Sequence, residues 1–313
     1  MSRVFGSFVK TRARLYDTGW LPTRRLNHPV ISVGNLTLGG TGKTPLVIEL
    51  ATQFRNLGYR PVVLSRGYRR RSRGIVVVSR GEGPEVDWPE AGDEPSLMAI
   101  RLPGVAVVVG ADRYRAGLFA ESARLGDLFI LDDGFQHRRL HRDVDLVTID
   151  PVDWAEEDRL LPRGRWREPR TALKRAHAAL VHESDSAPVP HLSVPRFGVE
   201  TLVDGIVKDG SLIPSDSLAG TPLSAFAGIA KPERFFHTLD AMGLRTHRKK
   251  IFPDHHKYGP RDLVDLGPGA CITTEKDAVR LPGSDFYFLR ISAKIRRFEA
   301  LRDLILERIN GTP

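Results

Sequence analysis

The segment from Gly34 to Thr44 has the residue types of a phosphate-binding loop. It ends in Gly-Lys-Thr, follows an apolar run that predicts a strand, and precedes apolar residues at helical spacing. Glycines let backbone N–H groups converge on phosphate oxygens, and the helix N-terminus adds partial positive charge. Lys43 would reach the terminal phosphates, and the Thr44 hydroxyl would hold Mg²⁺. The loop therefore predicts nucleotide binding by Thr37, Leu38, Gly39, Gly40, Thr41, Gly42, Lys43 and Thr44.

The loop departs at one position from the usual spacing G-x-x-x-x-G-K-[ST]. That spacing places a glycine at 37, where this chain has Thr37. The additional pair Gly39–Gly40 could compensate for the missing glycine. The alternative is a glycine-rich turn with an incidental lysine, and the flanking strand and helix patterns argue against it.

Two aspartates follow a second apolar run, Leu128–Leu131, in the manner of a Walker-B segment. Mg²⁺ prefers hard carboxylate oxygens, so Asp132 and Asp133 are candidate metal ligands beside the Thr44 hydroxyl. The alternative is a β-turn, since Asp-Asp-Gly is also good turn chemistry. The glycine loop upstream favours the metal-site interpretation.

Asp93 is a candidate base for the hydroxyl nucleophile of a phosphoryl transfer, because that proton must be accepted. Its alternative role is ordinary capping, since Gly-Asp-Glu-Pro opens a predicted helix. His255 follows Asp254, and an acid beside a histidine can orient the imidazole, although neighbouring histidines also occur in solvated loops. Metal binding by His255 and His256 together is not expected, because adjacent side chains diverge.

Composition indicates a globular chain with an anionic partner. It has 313 residues, 47 Lys and Arg residues against 38 Asp and Glu residues, and a net charge of +9. Such an excess favours a nucleotide, an anionic lipid or a nucleic acid. No zinc-finger or RNA-recognition signature supports a nucleic acid, and no nucleic acid is expected as a partner.

A single cysteine excludes an internal disulfide. Neither a signal peptide nor a membrane-spanning segment is expected, and a cytosolic location is the default.

Residues 1–25 form a basic segment with aromatic side chains. Six Lys and Arg residues stand against one acid, Asp17, and apolar residues partly follow helical spacing. One interpretation is an amphipathic helix on an anionic membrane surface. The other is a terminal helix packed on its own domain, and the residues alone leave both open.

The predicted fold is α/β: a P-loop NTPase-type, mostly parallel sheet with helices on both faces, plus a second, smaller α/β domain. Its expected parts are an N-terminal segment 1–28, a kinase domain 29–183, a linker 184–196 and a smaller domain 197–313. The last helix could pack back on the first domain. The predicted strands are Val30–Val33, Pro61–Ser65, Ile75–Val78, Val105–Val109, Leu128–Asp132, Asp145–Ile149, Ala176–Val181, Leu223–Ala227, Arg245–Phe252, Ala270–Thr274 and Phe286–Ile291.

Several segments together resemble the tetraacyldisaccharide 4′-kinase family, the lipid A 4′-kinases of Gram-negative bacteria. The resemblance runs in order from about residue 15 to about residue 290, and LDDGFQHRRLHRD and AFAGIAKPERFF are its most unusual parts. The segments are Val33–Pro45, Ser65–Arg70, Gly92–Pro95, Val109–Arg113, Leu131–Asp143, Leu160–Pro169, Ala225–Phe236, Phe252–Tyr258 and Thr273–Val279. The family's own loop is similar at Thr37.

The resemblance implies ATP-dependent phosphorylation of the 4′-hydroxyl of a tetraacylated glucosamine disaccharide 1-phosphate, giving lipid IVA. It implies a location at the cytoplasmic face of the bacterial inner membrane, with residues 1–25 on its anionic surface. Asp93 corresponds to the catalytic carboxylate, and His255 to its helper. Lys43, Thr44, Asp132 and Asp133 fall at the phosphates and Mg²⁺, and Arg167 falls in the Arg-Glu-Pro loop near the phosphates.

Two other functions remain open from the residues. One is another P-loop enzyme, such as a soluble metabolite kinase or an ATP-dependent ligase. The other is a nucleotide-switched ATPase without a small-molecule acceptor. The arginine-rich N-terminus, the AGIAKPERFF segment and the second α/β unit argue against both.

Overall fold

The computed structural model describes residues 2–183, 187–188, 190–218, 220–264, 266, 269–281 and 286–311. The strands are β1 (Val30–Asn35), β2 (Pro61–Ser65), β3 (Val76–Ser79), β4 (Ala106–Val109), β5 (Leu128–Asp132), β6 (Val144–Ile149), β7 (Ala178–His182), β8 (Arg196–Lys208), β9 (Ser211–Ile213), β10 (Leu223–Ala227), β11 (Thr246–Ile251), β12 (Ala270–Thr274) and β13 (Tyr287–Ile295).

Helices alternate with these strands. They are α1 (Ser2–Asp17), α2 (Lys43–Asn56), α3 (Trp88–Ala91), α4 (Asp93–Arg101), α5 (Arg113–Ser122), α6 (Pro151–Ala155), α7 (Pro232–Ala241), α8 (Pro260–Val264), α9 (Glu275–Ala278) and α10 (Phe298–Asn310). Short 3₁₀ turns occupy Arg170–Arg175 and Ser215–Leu218.

All the described strands join one sheet, in the order β11-β10-β12-β13-β8-β7-β6-β1-β5-β2-β4-β3, with β9 paired to β8. β1 lies between β5 and β6 and runs parallel to both. Antiparallel pairs occur at β3–β4, β8–β9 and β8–β13. The carboxyl ends of β1, β2 and β5 therefore meet at one edge, where ligands bind in such folds.

The central strands are buried on both faces. Along β1, Val30 packs in the core beneath α5, whereas Ile31 packs in the core beneath α2, α4 and α10. Successive side chains of a strand point to opposite faces, so an uninterrupted apolar run is required where helices cover both. Continuous Val/Ile/Leu runs are the reason that these strands could be predicted.

A second core lies around β10, with Phe235, Phe236 and Leu239 of α7 on one face of the sheet and Phe226 on the other. This smaller unit and the larger one confirm the predicted α/β class, with a mostly parallel sheet and helices on both faces. α10 packs through Leu301 and Ile305 on the core of the larger unit.

β8 and β9 are strands that the sequence pattern did not predict. β8 pairs in parallel with β7 through Val199 and then antiparallel with β13, so it belongs to both parts of the sheet. Its run is interrupted by Gly198, Asp204 and Gly205, residues that are depleted in strands. Positions 184–186 and 189 of the predicted linker lie outside the described residues.

Candidate active site

The glycine loop connects β1 to α2 and is closely packed against its surroundings. Gly42, which precedes α2, has φ 68° and ψ 23°, a left-handed conformation that glycine adopts without strain. A Cβ atom at Gly42 would lie 2.5 Å from Cε1 of His182, and one at Gly34 would lie 2.5 Å from Cβ of Phe135. Any larger residue at these positions would displace the loop.

Asn35 organises the interior of the loop, a role that the sequence analysis did not assign. Its side-chain amide donates to the Thr37 carbonyl at 2.7 Å and to the Thr41 hydroxyl at 3.0 Å. Lys43 Nζ donates to Asn35 Oδ1 at 3.1 Å. The last residue of β1 thus fixes both the loop backbone and its lysine.

The two aspartates after β5 have different environments. Asp133 Oδ2 lies 2.7 Å from Arg167 Nη1, and Asp133 Oδ1 lies 3.5 Å from Lys43 Nζ. Burial would raise the pKa of Asp133, but the positive charges of Lys43 and Arg167 outweigh it and lower the pKa. Asp133 also has φ 52°, a left-handed backbone conformation that is strained for residues other than glycine. Residues in such conformations are often found at functional sites.

Asp132 lacks a comparable cation. Its residue surface is 3% exposed, and Oδ2 accepts a hydrogen bond from Ser65 Oγ at 2.9 Å. Burial, and then the charges of Glu94 and Asp133, raise the pKa of Asp132 above its usual range. A buried carboxylate of this kind is costly without a compensating positive charge.

The donor set at this edge fits Mg²⁺. The Thr44 hydroxyl and the Asp132 carboxylate line the same cavity, and hard oxygen donors are what Mg²⁺ selects. Within the described ranges, no group of three His, Cys, Asp or Glu side chains could hold a metal. Nucleotide sites need no such group, because one or two protein oxygens bind Mg²⁺ together with phosphates.

Asp93 and His255 form a hydrogen-bonded pair. Asp93 opens α4, His255 follows β11, and His255 Nδ1 lies 2.8 Å from Asp93 Oδ2. Burial would raise the pKa of Asp93, but the His255 hydrogen bond and nearby positive charges lower it to about 2. His255 has φ 60°, and its ring lies 5.2 Å from that of Tyr68. The pair has the geometry of an acid that orients an imidazole.

Two cations surround this pair: Lys276, from the segment Thr273–Val279, and Arg280, directly after it. Neither was predicted as a site residue. Lys276 Nζ and Arg280 Nε each lie 3.9 Å from Asp93 Oδ2. Arg280 donates to the carbonyls of His256 and Gly228 and also pairs with Asp277. The signal available beforehand was only that the segment resembles the family.

Ion pairs also join the smaller unit to the flank of the glycine loop. Lys231 Nζ lies 2.8 Å from Asp153 Oδ1, and Arg234 Nη2 lies 2.6 Å from Asp150 Oδ2. Lys231 also pairs with Asp150 at 2.5 Å. On the loop side, Arg165 bonds both Asp153 Oδ1, at 3.1 Å, and the Leu38 carbonyl, at 3.0 Å.

A cavity of about 1350 Å³ connects these groups. Of the predicted site residues, the structure places Leu38, Gly39, Gly40, Thr41, Gly42, Lys43, Thr44, Asp132, Asp133, Arg167 and His255 on its wall. Thr37 is buried within the loop, and the Asp93 side chain, 5% exposed, lies behind the wall in contact with His255. The cavity also includes Phe8, Val9 and Arg12 of α1.

α1 lies against the loop that follows Asp133. Arg12 donates to the Gln136 carbonyl at 3.0 Å, and Arg138 donates to the Ala13 carbonyl at 3.0 Å. Phe8 remains 63% exposed and Trp20, just beyond the helix, 81% exposed. No helix in the described part of the chain is long and apolar enough to cross a bilayer.

Comparison with known proteins gives one family over the whole chain. The family model described as tetraacyldisaccharide-1-P 4′-kinase matches residues 1–310. The tetraacyldisaccharide 4′-kinase of Geobacter sulfurreducens is 40% identical over 314 residues, covering 97% of this chain and 89% of that protein. That of an Anaeromyxobacter species is 40% identical over 300 residues, covering 88% and 79%.

A solved structure agrees with these matches. The crystal structure of LpxK from Aquifex aeolicus in complex with ATP superposes with a TM-score of 0.87 at 37% identity, covering 98% of this chain and 97% of that one. The family model, the relatives and the structure together confirm the resemblance seen in the sequence. This chain belongs to the tetraacyldisaccharide-1-P 4′-kinase family.

Proposed function

We propose that the cavity between the glycine loop and the Asp93–His255 pair is where this kinase carries out its reaction. The enzyme is an ATP-dependent phosphotransferase of lipid A biosynthesis, and its acceptor is the 4′-hydroxyl of a tetraacylated glucosamine disaccharide 1-phosphate. The observation that carries the site assignment is that the loop and His255 line one cavity. A hydroxyl between them would face the γ-phosphate on one side and a proton acceptor on the other.

The loop side binds the donor. Lys43, held by Asn35, is positioned for the β- and γ-phosphates of ATP, and the backbone N–H groups of Gly39, Gly40, Gly42 and Lys43 would supply further donors. Arg167 contributes a second positive charge beside Lys43 through their shared partner Asp133. These charges stabilise the phosphoryl group during transfer.

Thr44 and Asp132 are the residues that would hold Mg²⁺. The ion supplies positive charge to the phosphate oxygens when it is bound with ATP. Asp133 is already occupied by two cations, so its role is to position Lys43 and Arg167.

The acceptor side removes one proton. The 4′-oxygen forms a bond to the γ-phosphorus, the bond from that phosphorus to the β,γ-bridging oxygen breaks, and ADP leaves. The hydroxyl proton passes to the Asp93–His255 pair, whose exposed member is His255. Because Asp93 and His255 come from different units of the chain, their contact also orients the two units over the acceptor.

The acyl chains of the acceptor place the reaction at a membrane surface. We infer peripheral binding to the anionic cytoplasmic face of the inner membrane through α1 and Trp20. The support is the exposure, beside basic residues, of Phe8 on a helix that also lines the cavity and of Trp20 just beyond that helix. The contacts of Arg12 and Ala13 dock α1 on its own domain, and Phe8 and Trp20 stay exposed in this docked arrangement.

Formation of a 4′-phosphate on the acylated disaccharide 1-phosphate in detergent micelles tests the proposal. We expect ADP release to require both the lipid acceptor and Mg²⁺. ATP consumption that needs a soluble metabolite, or that a nucleic acid or protein partner stimulates instead, would contradict it.

A further inference from the structure

Lys276 lies beside the Asp93–His255 pair but has no role in the function proposed above. It lies in the first turn of α9, directly after β12 of the smaller unit. Its Nζ atom is 3.0 Å from Glu94 Oε1, 3.9 Å from Asp93 Oδ2 and 4.0 Å from Asp254 Oδ1. The side chain is 20% exposed and lines the cavity. A single ammonium therefore serves three carboxylates from both units.

The three carboxylates need this charge. Like charges at such separations disfavour one another's ionised forms, and burial adds to the cost. Asp254 Oδ1 is a buried atom without a hydrogen-bond partner. Burial would lower the pKa of Lys276, but Glu94, Asp93 and Asp254 outweigh it and raise the pKa. The ammonium consequently stays charged throughout the working pH range.

The other groups that face Asp93 cannot replace Lys276. His255 donates a hydrogen bond through Nδ1, which a neutral imidazole can also do. Arg280 is 1% exposed and committed to the His256 and Gly228 carbonyls and to Asp277. Of Lys276 and Arg280, the two cations placed beside Asp93, Lys276 is the one that also lines the cavity.

We infer that Lys276 is a positioning residue for the transfer step: its ammonium holds Asp93 charged and bound to His255, with Glu94 and Asp254 drawn to the same point. This role rests on the proposed function of the pair. It gives the smaller unit a second contribution to the acceptor side besides His255.

The test is the pH dependence of kcat/KM for the acceptor at saturating ATP, in the full-length protein. Removing this positive charge raises the pKa of Asp93, which the ammonium of Lys276 lowers in the wild type. We expect Lys276→Met and Lys276→Gln to move the acid limb to higher pH by about one unit or more. Lys276→Arg should retain the wild-type limb. Lys249→Met, which removes the exposed partner of Asp240, should change nothing.

Two results would overturn the inference. One is an acid limb that stays at its wild-type position in the neutral variants, whether or not their activity falls, as a packing defect would give. The other is a fall in ATP affinity that accounts for the whole loss, which would make Lys276 a phosphate contact. A wild-type protein that does not phosphorylate the lipid acceptor would overturn the proposed function itself. An active wild type with unshifted variants overturns only the role of Lys276.

Discussion

Nδ1 of His255 lies 2.8 Å from Oδ2 of Asp93, although 162 positions separate the two residues in the chain. Asp93 belongs to the larger α/β unit and His255 to the smaller one. Their hydrogen bond exists only when the two units are arranged as they are here. The proposed proton-accepting pair is therefore a property of the folded molecule, and its integrity reports the arrangement of the units.

Replacing Asp93 is expected to be more harmful than replacing His255. Asp93→Asn removes the negative charge of the pair and should lower kcat by about 10²- to 10⁴-fold, the range for a positioned acid–base group. In His255→Gln, the side-chain amide can still donate to Asp93, so the loss should be smaller. Steady-state kinetics on the lipid acceptor, with ATP affinity measured separately, compares the two variants.

ATP affinity is the internal control for that comparison, because neither residue lies in the glycine loop. We expect it to stay within about twofold of the wild-type value in both variants. Turnover of Asp93→Asn within about tenfold of the wild type would remove Asp93 from the mechanism. Equal losses in the two variants would show that the imidazole is as necessary to the proton-accepting pair as the carboxylate.

The two aspartates after β5 should respond differently to Mg²⁺. Asp132→Asn removes the buried carboxylate that accepts from Ser65 and lines the cavity with Thr44, so half-maximal activity should require at least about tenfold more Mg²⁺. Asp133→Asn should mainly weaken ATP binding, since it releases Lys43 and Arg167. Mg²⁺ and ATP titrations of both variants separate these effects. Identical titration curves for the two variants would show that the aspartates share one role.

The parts of the fold that were predictable are those in which local pattern and burial agree. β2, β5, β10 and β12 have the predicted bounds, because each is a short, mostly apolar run that ends at a loop or, for β12, at a helix N-cap. The glycine loop was also predictable from local sequence, because the residues that form a phosphate-binding loop are neighbours in the chain.

Other features depend on residues that only the fold brings together. β8 owes its pairing to partners on both sides, so its weak local propensity gave no signal. Lys276, Arg280 and Lys231 contact acids far away in the chain, and no spacing rule connects them. The different environments of Asp132 and Asp133 arise likewise from Ser65 and Arg167.

The aromatic side chains at the N-terminus should determine membrane binding. Serine in place of exposed Phe8 or Trp20 removes apolar area that would enter the headgroup region, worth about 1.5–3 kcal/mol when fully buried. We expect binding to anionic vesicles to weaken by about tenfold for each substitution, measured by co-sedimentation. Leu57→Ser, at the end of α2, is the matched exposed control and should bind as the wild type does. Unchanged vesicle binding in all three variants would exclude this surface as the membrane contact.

Asp150 should contribute to stability in a pH-dependent manner. Its side chain is 1% exposed and binds Lys231 and Arg234, so Asp150→Ala takes one carboxylate from the buried Lys231 and one from Arg234. The expected loss is about 3 kcal/mol, the lower end for a broken buried pair, because Lys231 keeps Asp153 and Arg234 is half exposed.

Burial would raise the pKa of Asp150, but hydrogen bonds and charges from Lys231 and Arg234 lower it. A lowered folded-state pKa means that the contribution is complete above the unfolded value near pH 4 and is lost as pH falls through the folded value. Urea unfolding should therefore show the full difference between wild type and variant at pH 7 and a smaller one below about pH 4. The control Asp240→Ala breaks an exposed pair with Lys249 and should cost less than about 1 kcal/mol. Equal losses of unfolding free energy in Asp150→Ala and Asp240→Ala would contradict a special contribution of the buried Asp150 pairs.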